Sequence, residues 1–221
     1  MINLELKKRI FTSIFLISLL ILMYFYSYVM IIVLIIVPLI AWIEFYGLIS
    51  KIFKKNNLRN KILLFFFKSI SLLYLLIFSF LLITFKSKSI TSEIFIVYSL
   101  LISINTDVGG FIFGKIFKGK KLIKTSPNKT ISGAFGSLIF SLLLVPFFYQ
   151  HLGNFKISTL IVITLLISLV SQTGDLFISF LKRKARVKDT GDLLPGHGGF
   201  LDRIDGILFA VPFGLILFNF L

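Results

Sequence analysis

Hydrophobic residues in this chain occur in long, nearly unbroken runs, and the charged residues collect between them. This is neither the alternation of a half-buried strand nor the narrow apolar stripe of a soluble helix. Runs of roughly 20 apolar residues match the hydrocarbon thickness of a bilayer. The candidate spans are Ile10–Tyr26, Tyr28–Ile49, Ile62–Phe85, Ile94–Phe117, Ile131–Tyr149, Ile157–Leu181 and Ile204–Leu221. The first two meet at a tight uncharged turn near Ser27, where one long tilted helix is the alternative. The pattern predicts an all-α, polytopic integral membrane helix bundle of about seven transmembrane helices. No internal repeat or low-complexity linker interrupts it, so residues 1–221 read as a single membrane domain. Residues 1–90 supply N-terminal spans, and 91–221 hold the spans and loops that carry candidate chemistry. A basic start followed by an apolar run resembles a signal peptide. The run continues past residue 30 without a small-residue cleavage site, so it reads as a retained anchor.

Loop charge sets the expected orientation. The N-terminal tail (Lys7, Lys8, Arg9) and the loops Lys51–Lys61, Lys115–Lys129 and Lys182–Arg203 together hold 20 Lys and Arg. The alternate loops hold three, Lys86, Lys88 and Lys156. Positive residues stay cytoplasmic during insertion, which puts the N-terminus inside and the C-terminus outside.

Composition agrees. With 57% hydrophobic and 15% charged residues, there is too little polar side chain to cover a water-soluble globule. The net charge of +15 raises the question of nucleic acid, but the basic residues sit in short separate loops and form no continuous face. No nucleic-acid partner is expected. Without cysteine there is neither a disulfide framework nor thiolate chemistry.

Within this apolar chain, residues 182–205 read KRKARVKDTGDLLPGHGGFLDRID and hold ten charged residues, four of the nine acids among them. Closer to the membrane, the acids Asp107 and Asp175 stand out within or beside apolar spans. A charge at mid-membrane costs about 3 kcal/mol or more unless paired or hydrated, so such residues mark candidate cavities. Helical spacing puts Asp175, Ser179 and Lys182 on one face, with Arg183 beside them. Asp175 alone serves equally well as a hydrogen-bonding tie between helices. Asp202 and Asp205 stand three apart at the start of the last span, where an acid is also an ordinary helix-start residue. Two or three carboxylates with hydroxyl and water oxygens suit Mg²⁺, which shares its shell with substrate phosphates. Scarce His and absent Cys argue against zinc.

The glycines of PGHGGFLDR, Gly198 and Gly199 among them, free the backbone to bring N–H groups onto an anion, although a Gly-rich turn is commonly only a turn. His197 in such a turn is more often a surface residue than a general base. With Lys182, Arg183, Lys188 and Arg203 nearby, the local chemistry suits phosphoryl or nucleotidyl transfer. Upstream, Ser126, Asn128, Lys129 and Thr130 place donors and a cation at a Pro-fixed turn before a helix, a candidate triphosphate site. Gly109, Gly110 and Gly114 read as close helix packing. Lys115, Lys118, Lys120, Lys121 and Lys124 read as contacts to anionic headgroups, and Lys68 as a snorkelling lysine.

The run from Ser179 to Asp205, S-x-x-K-R-x-x-x-x-K-D-x-G-x-x-L-P-G-H-G-G-x-x-D-R-x-D, resembles the signature of the phosphatidate cytidylyltransferase (CDP-diglyceride synthase) family without a gap. GDL at 174–176, D-x-x-G-F-x-x-G from Asp107 and SPNKT at 126–130 are similar to further elements of that family. The resemblance covers the C-terminal half; the first ninety residues match only as apolar spans. It implies a CTP- and Mg²⁺-dependent enzyme of the bacterial inner membrane, with its site facing the cytoplasm. The enzyme would convert phosphatidic acid to CDP-diacylglycerol and pyrophosphate. Asp175 and Asp202 would ligate the metal centre, which could include a second cation, and Asp107 would sit near it. Lys129, Lys182, Arg183, Lys188, Asp189, His197, Arg203 and Asp205 would line the pocket. CTP, phosphatidic acid and membrane lipids are the implied partners, with a homodimer as a candidate assembly. Ser132 stands where the family usually has Glu, and Phe111 where it usually has Tyr. The rival readings are a CTP-dependent lipid-alcohol kinase, told apart by releasing CDP, a cation transporter with Asp107 and Asp175 on its path, and an inert scaffold.

Overall fold

A computed structural model of the chain describes residues 4–123, 126–152, 155–194 and 198–220. Eight helices and one two-stranded ribbon make up the described residues. They are α1 (Leu4–Phe25), α2 (Ser27–Ile52), α3 (Leu58–Lys88), α4 (Ile90–Phe117), β1 (Lys121–Ile123), β2 (Ser126–Thr130), α5 (Ile131–Leu142), α6 (Val145–Tyr149), α7 (Ile157–Lys184) and α8 (Leu201–Phe220). The fold is all-α and polytopic. Among the described residues, five stretches are long and apolar enough to cross a membrane: α2, α3, α4, residues 131–149 and α7.

The break expected near Ser27 is present: the backbone is extended at Tyr26 (φ −119°, ψ 106°), so α1 and α2 are two helices. Two details differ from the sequence expectation, each for a local reason. The fifth span breaks at Leu143–Leu144 ahead of Pro146, because a proline supplies no amide for the preceding turn and starts a new helix readily. Ser126–Thr130, expected as a turn, is the strand β2, paired antiparallel with β1 so that Lys121 faces Thr130 and Ile123 faces Ser126. Pro127 is tolerated there because a two-stranded ribbon consists only of edges.

The chain divides into two compact units. One comprises residues 1–79 and 181–203. In it α2 meets α3 through the Trp42 Nε1 donor to the Lys68 carbonyl (3.1 Å) and the Ser79 hydroxyl to the Leu34 carbonyl (3.2 Å). The Lys68 ammonium lies over the Trp42 and Tyr46 rings, at 5.2 and 4.8 Å from their centres, where its charge meets π-faces and not bare hydrocarbon.

The other unit comprises residues 80–180 and 204–221. Its core gathers Tyr98, Ile102, Leu160, Ile163, Ile167, Ala210 and Phe218, all buried. Small residues and hydroxyls bring its helices together. Tyr98 bonds Thr164 (2.5 Å), Thr106 bonds Ser168 (2.8 Å) and Ser103 bonds Ser171 (2.8 Å), linking α4 to α7. Between helices in lipid, close backbone approach and such bonds take the place of a hydrophobic driving force. On α4, Gly109 and Gly110 face α5: a side chain at Gly109 would come within 2.7 Å of the Gly136 carbonyl, as close packing requires.

Candidate active site

The site residues fall into two groups, one in each unit. In the larger-numbered unit, α4 carries Asp107, β2 carries Lys129, and α7 carries Asp175. These three line one cavity of about 240 Å³ together with Thr106, Gly110, Thr130, Ser137 and Gln172. The Lys129 ammonium is ion-paired with Asp175 Oδ2, and the Ser179 hydroxyl reaches Asp175 Oδ1 at a long 3.4 Å. Both members of the ion pair remain about a quarter exposed, 26% and 24%. The cavity thus presents two carboxylates and a cation that water or a ligand can reach.

The ribbon that supplies Lys129 is held at its base. Thr130 caps α5 by accepting from the Gly133 amide (3.1 Å), the ordinary task of a residue at that position. Its hydroxyl also meets that of Ser132 (3.0 Å), which in turn bonds the Lys118 carbonyl. Ser132 therefore ties the end of α4 to the start of α5 and carries no charge. Ser126 is buried within β2. The side chain of Asn128 lies outside the described residues, as do His197 and Lys124. Lys115 extends over the Phe111 ring at 5.8 Å. Asp205, on α8, is buried, and its Oδ1 accepts from the Gly206 amide (2.8 Å).

In the other unit, Asp202 is enclosed by donors. Oδ1 takes the Lys182 ammonium at 2.5 Å; Oδ2 takes the Thr190 amide (2.8 Å), the Thr190 hydroxyl (3.0 Å) and the Gly199 amide (3.3 Å). Lys182 and Asp202 are only 14% and 7% exposed. Gly198 adopts φ +82°, a left-handed conformation that favours glycine, and exchanges two backbone hydrogen bonds with Leu194 (2.9 and 3.1 Å). A side chain there would also press on Asp189, at 3.1 Å from its Cβ. Arg183, Lys188, Asp189 and Arg203 are exposed.

The glycine loop does bring backbone amides onto anions, but those anions are the protein's own. Gly199 donates to Asp202, while Phe200 and Leu201 donate to Glu44 on α2, at 2.9 and 2.8 Å. Sequence reasoning passed over Glu44. It lies inside the second apolar span, so the rule that singled out Asp107 and Asp175 applies to it equally.

Magnesium, expected from the sequence, takes one or two protein carboxylates and completes its shell with water and phosphate oxygens. The cavity that Asp107 and Asp175 share, with its hydroxyls, fits that demand. Among the described residues, no group of three or more His, Cys, Asp or Glu gathers into a closed metal cage.

A model of the cytidylyltransferase family matches residues 1–221 of the chain. Curated relatives include proteins named phosphatidate cytidylyltransferase from Staphylococcus haemolyticus, Staphylococcus saprophyticus and Staphylococcus aureus, at 44%, 43% and 45% identity over 121 residues. The matched stretch is 53% of this chain and 46% of each relative, so it spans about half the length of those proteins.

Proposed function

Because the chain belongs to the cytidylyltransferase family along its whole length, we propose that it transfers the CMP moiety of CTP to phosphatidic acid. A phosphate oxygen of the lipid bonds to the α-phosphorus of CTP, and the bond from that phosphorus to the bridging oxygen of the leaving pyrophosphate breaks. The attacking group is already an anion near neutral pH, so the step needs no strong base. What it needs is two anions held together with their charge offset, by positioning and by fixed cations.

The observation that best supports this is the cavity in which Asp107, Lys129 and Asp175 meet. Lys129 would bind the triphosphate, with the hydroxyls of Thr130 and Ser137 lining the same cavity. Asp175 and Asp107 would hold Mg²⁺, which when bound supplies charge neutralisation to the phosphates. Asp202 as a further ligand stays part of the proposal. Exposed Arg183, Lys188 and Arg203 offer cations to phosphate groups arriving from solution. The protein is read as acting in the bacterial inner membrane with this chemistry on the cytoplasmic side.

The test is to supply the purified protein in detergent with labelled CTP and phosphatidic acid, with and without Mg²⁺. CDP-diacylglycerol and pyrophosphate should form in equal amounts, and only with the metal. Asp175→Asn should lower turnover by on the order of 100-fold, the scale felt on losing one charge-positioning group. Release of CDP in place of pyrophosphate, or near-normal turnover in Asp175→Asn, defeats the proposal.

A further inference from the structure

Glu44 is 5% exposed and lies on α2, far along the chain from the motif it touches. Its Oε1 accepts from the Phe200 amide (2.9 Å), and its Oε2 accepts from the Leu201 amide (2.8 Å) and the Thr190 hydroxyl (2.7 Å). Phe200 and Leu201 open α8, where the first amides have no partner within the helix and an anion is favoured. Glu44 thus closes the start of α8 from another helix. The Thr190 hydroxyl stands between it and Asp202 Oδ2, 2.7 and 3.0 Å away. One hydroxyl carries one hydrogen, so the two carboxylates share a single donor and are coupled through it.

The loop has been shaped to let this carboxylate in. A Cβ at Gly191 would lie 2.8 Å from Glu44 Oε1, and one at Gly199 would lie 2.6 Å from Oε2 and 1.9 Å from the Thr190 hydroxyl. Two glycines of the motif therefore serve the approach to Glu44. A carboxylate within an apolar span is costly unless satisfied, and here both oxygens are.

From this geometry we infer that Glu44 is a positioning residue for the reaction: it fixes residues 190–191 and 199–201 so that Asp202 and Lys182 hold one arrangement. The inference rests on the proposed cytidylyl transfer. Glu44→Gln has the same shape as Glu44 but turns a donor toward one set of these hydrogens, so packing survives and the clamp does not. Amide hydrogen exchange of the whole protein in detergent reads the clamp without reference to activity. In Glu44→Gln, exchange at the amides of residues 190–191 and 199–201 should rise by about tenfold while α4 and α5 stay unchanged. In the same variant kcat should fall by about 10- to 100-fold, with KM for CTP within about threefold, as expected when a small misplacement affects the reacting geometry. Glu44→Asp keeps the charge and should recover part of both.

Unchanged exchange, a rise spread over all helices, or a normal kcat despite local loosening each overturns the inference. Should Glu44→Gln not fold, Thr190→Val removes the shared hydroxyl and is held to the same outcomes. A wild-type protein without cytidylyl transfer sinks the parent function instead, and leaves the exchange result to decide whether the clamp exists.

Discussion

The lysine–aspartate pairs Lys129–Asp175 and Lys182–Asp202 differ in exposure, and the difference separates their roles. Lys129 and Asp175 are 26% and 24% exposed and border a cavity, so water and ligands compete for their charges. Such a pair adds little to stability, and its members can rearrange when an anion arrives. Lys182 and Asp202 are 14% and 7% exposed, and while Oδ1 of Asp202 takes the Lys182 ammonium, Oδ2 accepts further hydrogen bonds from Thr190 and Gly199. Removing one partner of an enclosed pair leaves an uncompensated buried charge. Lys182→Met should therefore destabilise the protein by about 3 kcal/mol, and Lys129→Met by less than about 1 kcal/mol. Thermal unfolding of both variants in the same detergent checks this; equal losses would mean that the two pairs do the same work.

At the scale of the elements, contact between α4, α7 and α8 depends on positions that lack bulk. A Cβ at Gly206 on α8 would stand 2.6 Å from the Ser171 hydroxyl and 3.2 Å from that of Ser103. Those hydroxyls bond each other at 2.8 Å, so neither can move aside freely. Gly206→Ala should cost about 1–3 kcal/mol through overpacking. Ser171→Ala alone should cost about 0.6 kcal/mol, the average for a hydrogen bond between membrane helices. The double variant should be more stable than the two losses added together, because Ser171→Ala removes the obstruction that Gly206→Ala meets. Thermal midpoints of the three variants decide it, and strict additivity would mean that the two positions do not touch.

For the molecule as a whole, the firmest expectation is orientation. The basic loops alternate with nearly uncharged ones, and the absence of cysteine makes single-cysteine labelling clean. Lys55→Cys and Lys120→Cys, both at exposed positions, should react with an impermeant thiol reagent only from the cytoplasmic side. Ser87→Cys and Lys156→Cys, also exposed, should react only from the other. Labelling of Lys55→Cys and Ser87→Cys from the same side would break the alternation and with it the expected topology.

The sequence alone determined the all-α class, the long apolar helices and the motif that carries the family resemblance. Each of these is written in one dimension: a run of side chains long enough to span lipid, or a fixed spacing along the chain. It also marked Asp107 and Asp175, since an acid near a span is conspicuous wherever the chain leads. What the tertiary structure decided was which charges meet. Glu44 was as visible as the other acids, yet its partners Thr190 and Leu201 lie 146 and 157 residues further on, beyond any local pattern. Nor does spacing reveal that Lys129 pairs with Asp175, or that the glycine loop wraps the protein's own carboxylates. Helices follow from local hydrophobicity and backbone hydrogen bonding, whereas a pairing of charges exists only once separate helices have packed.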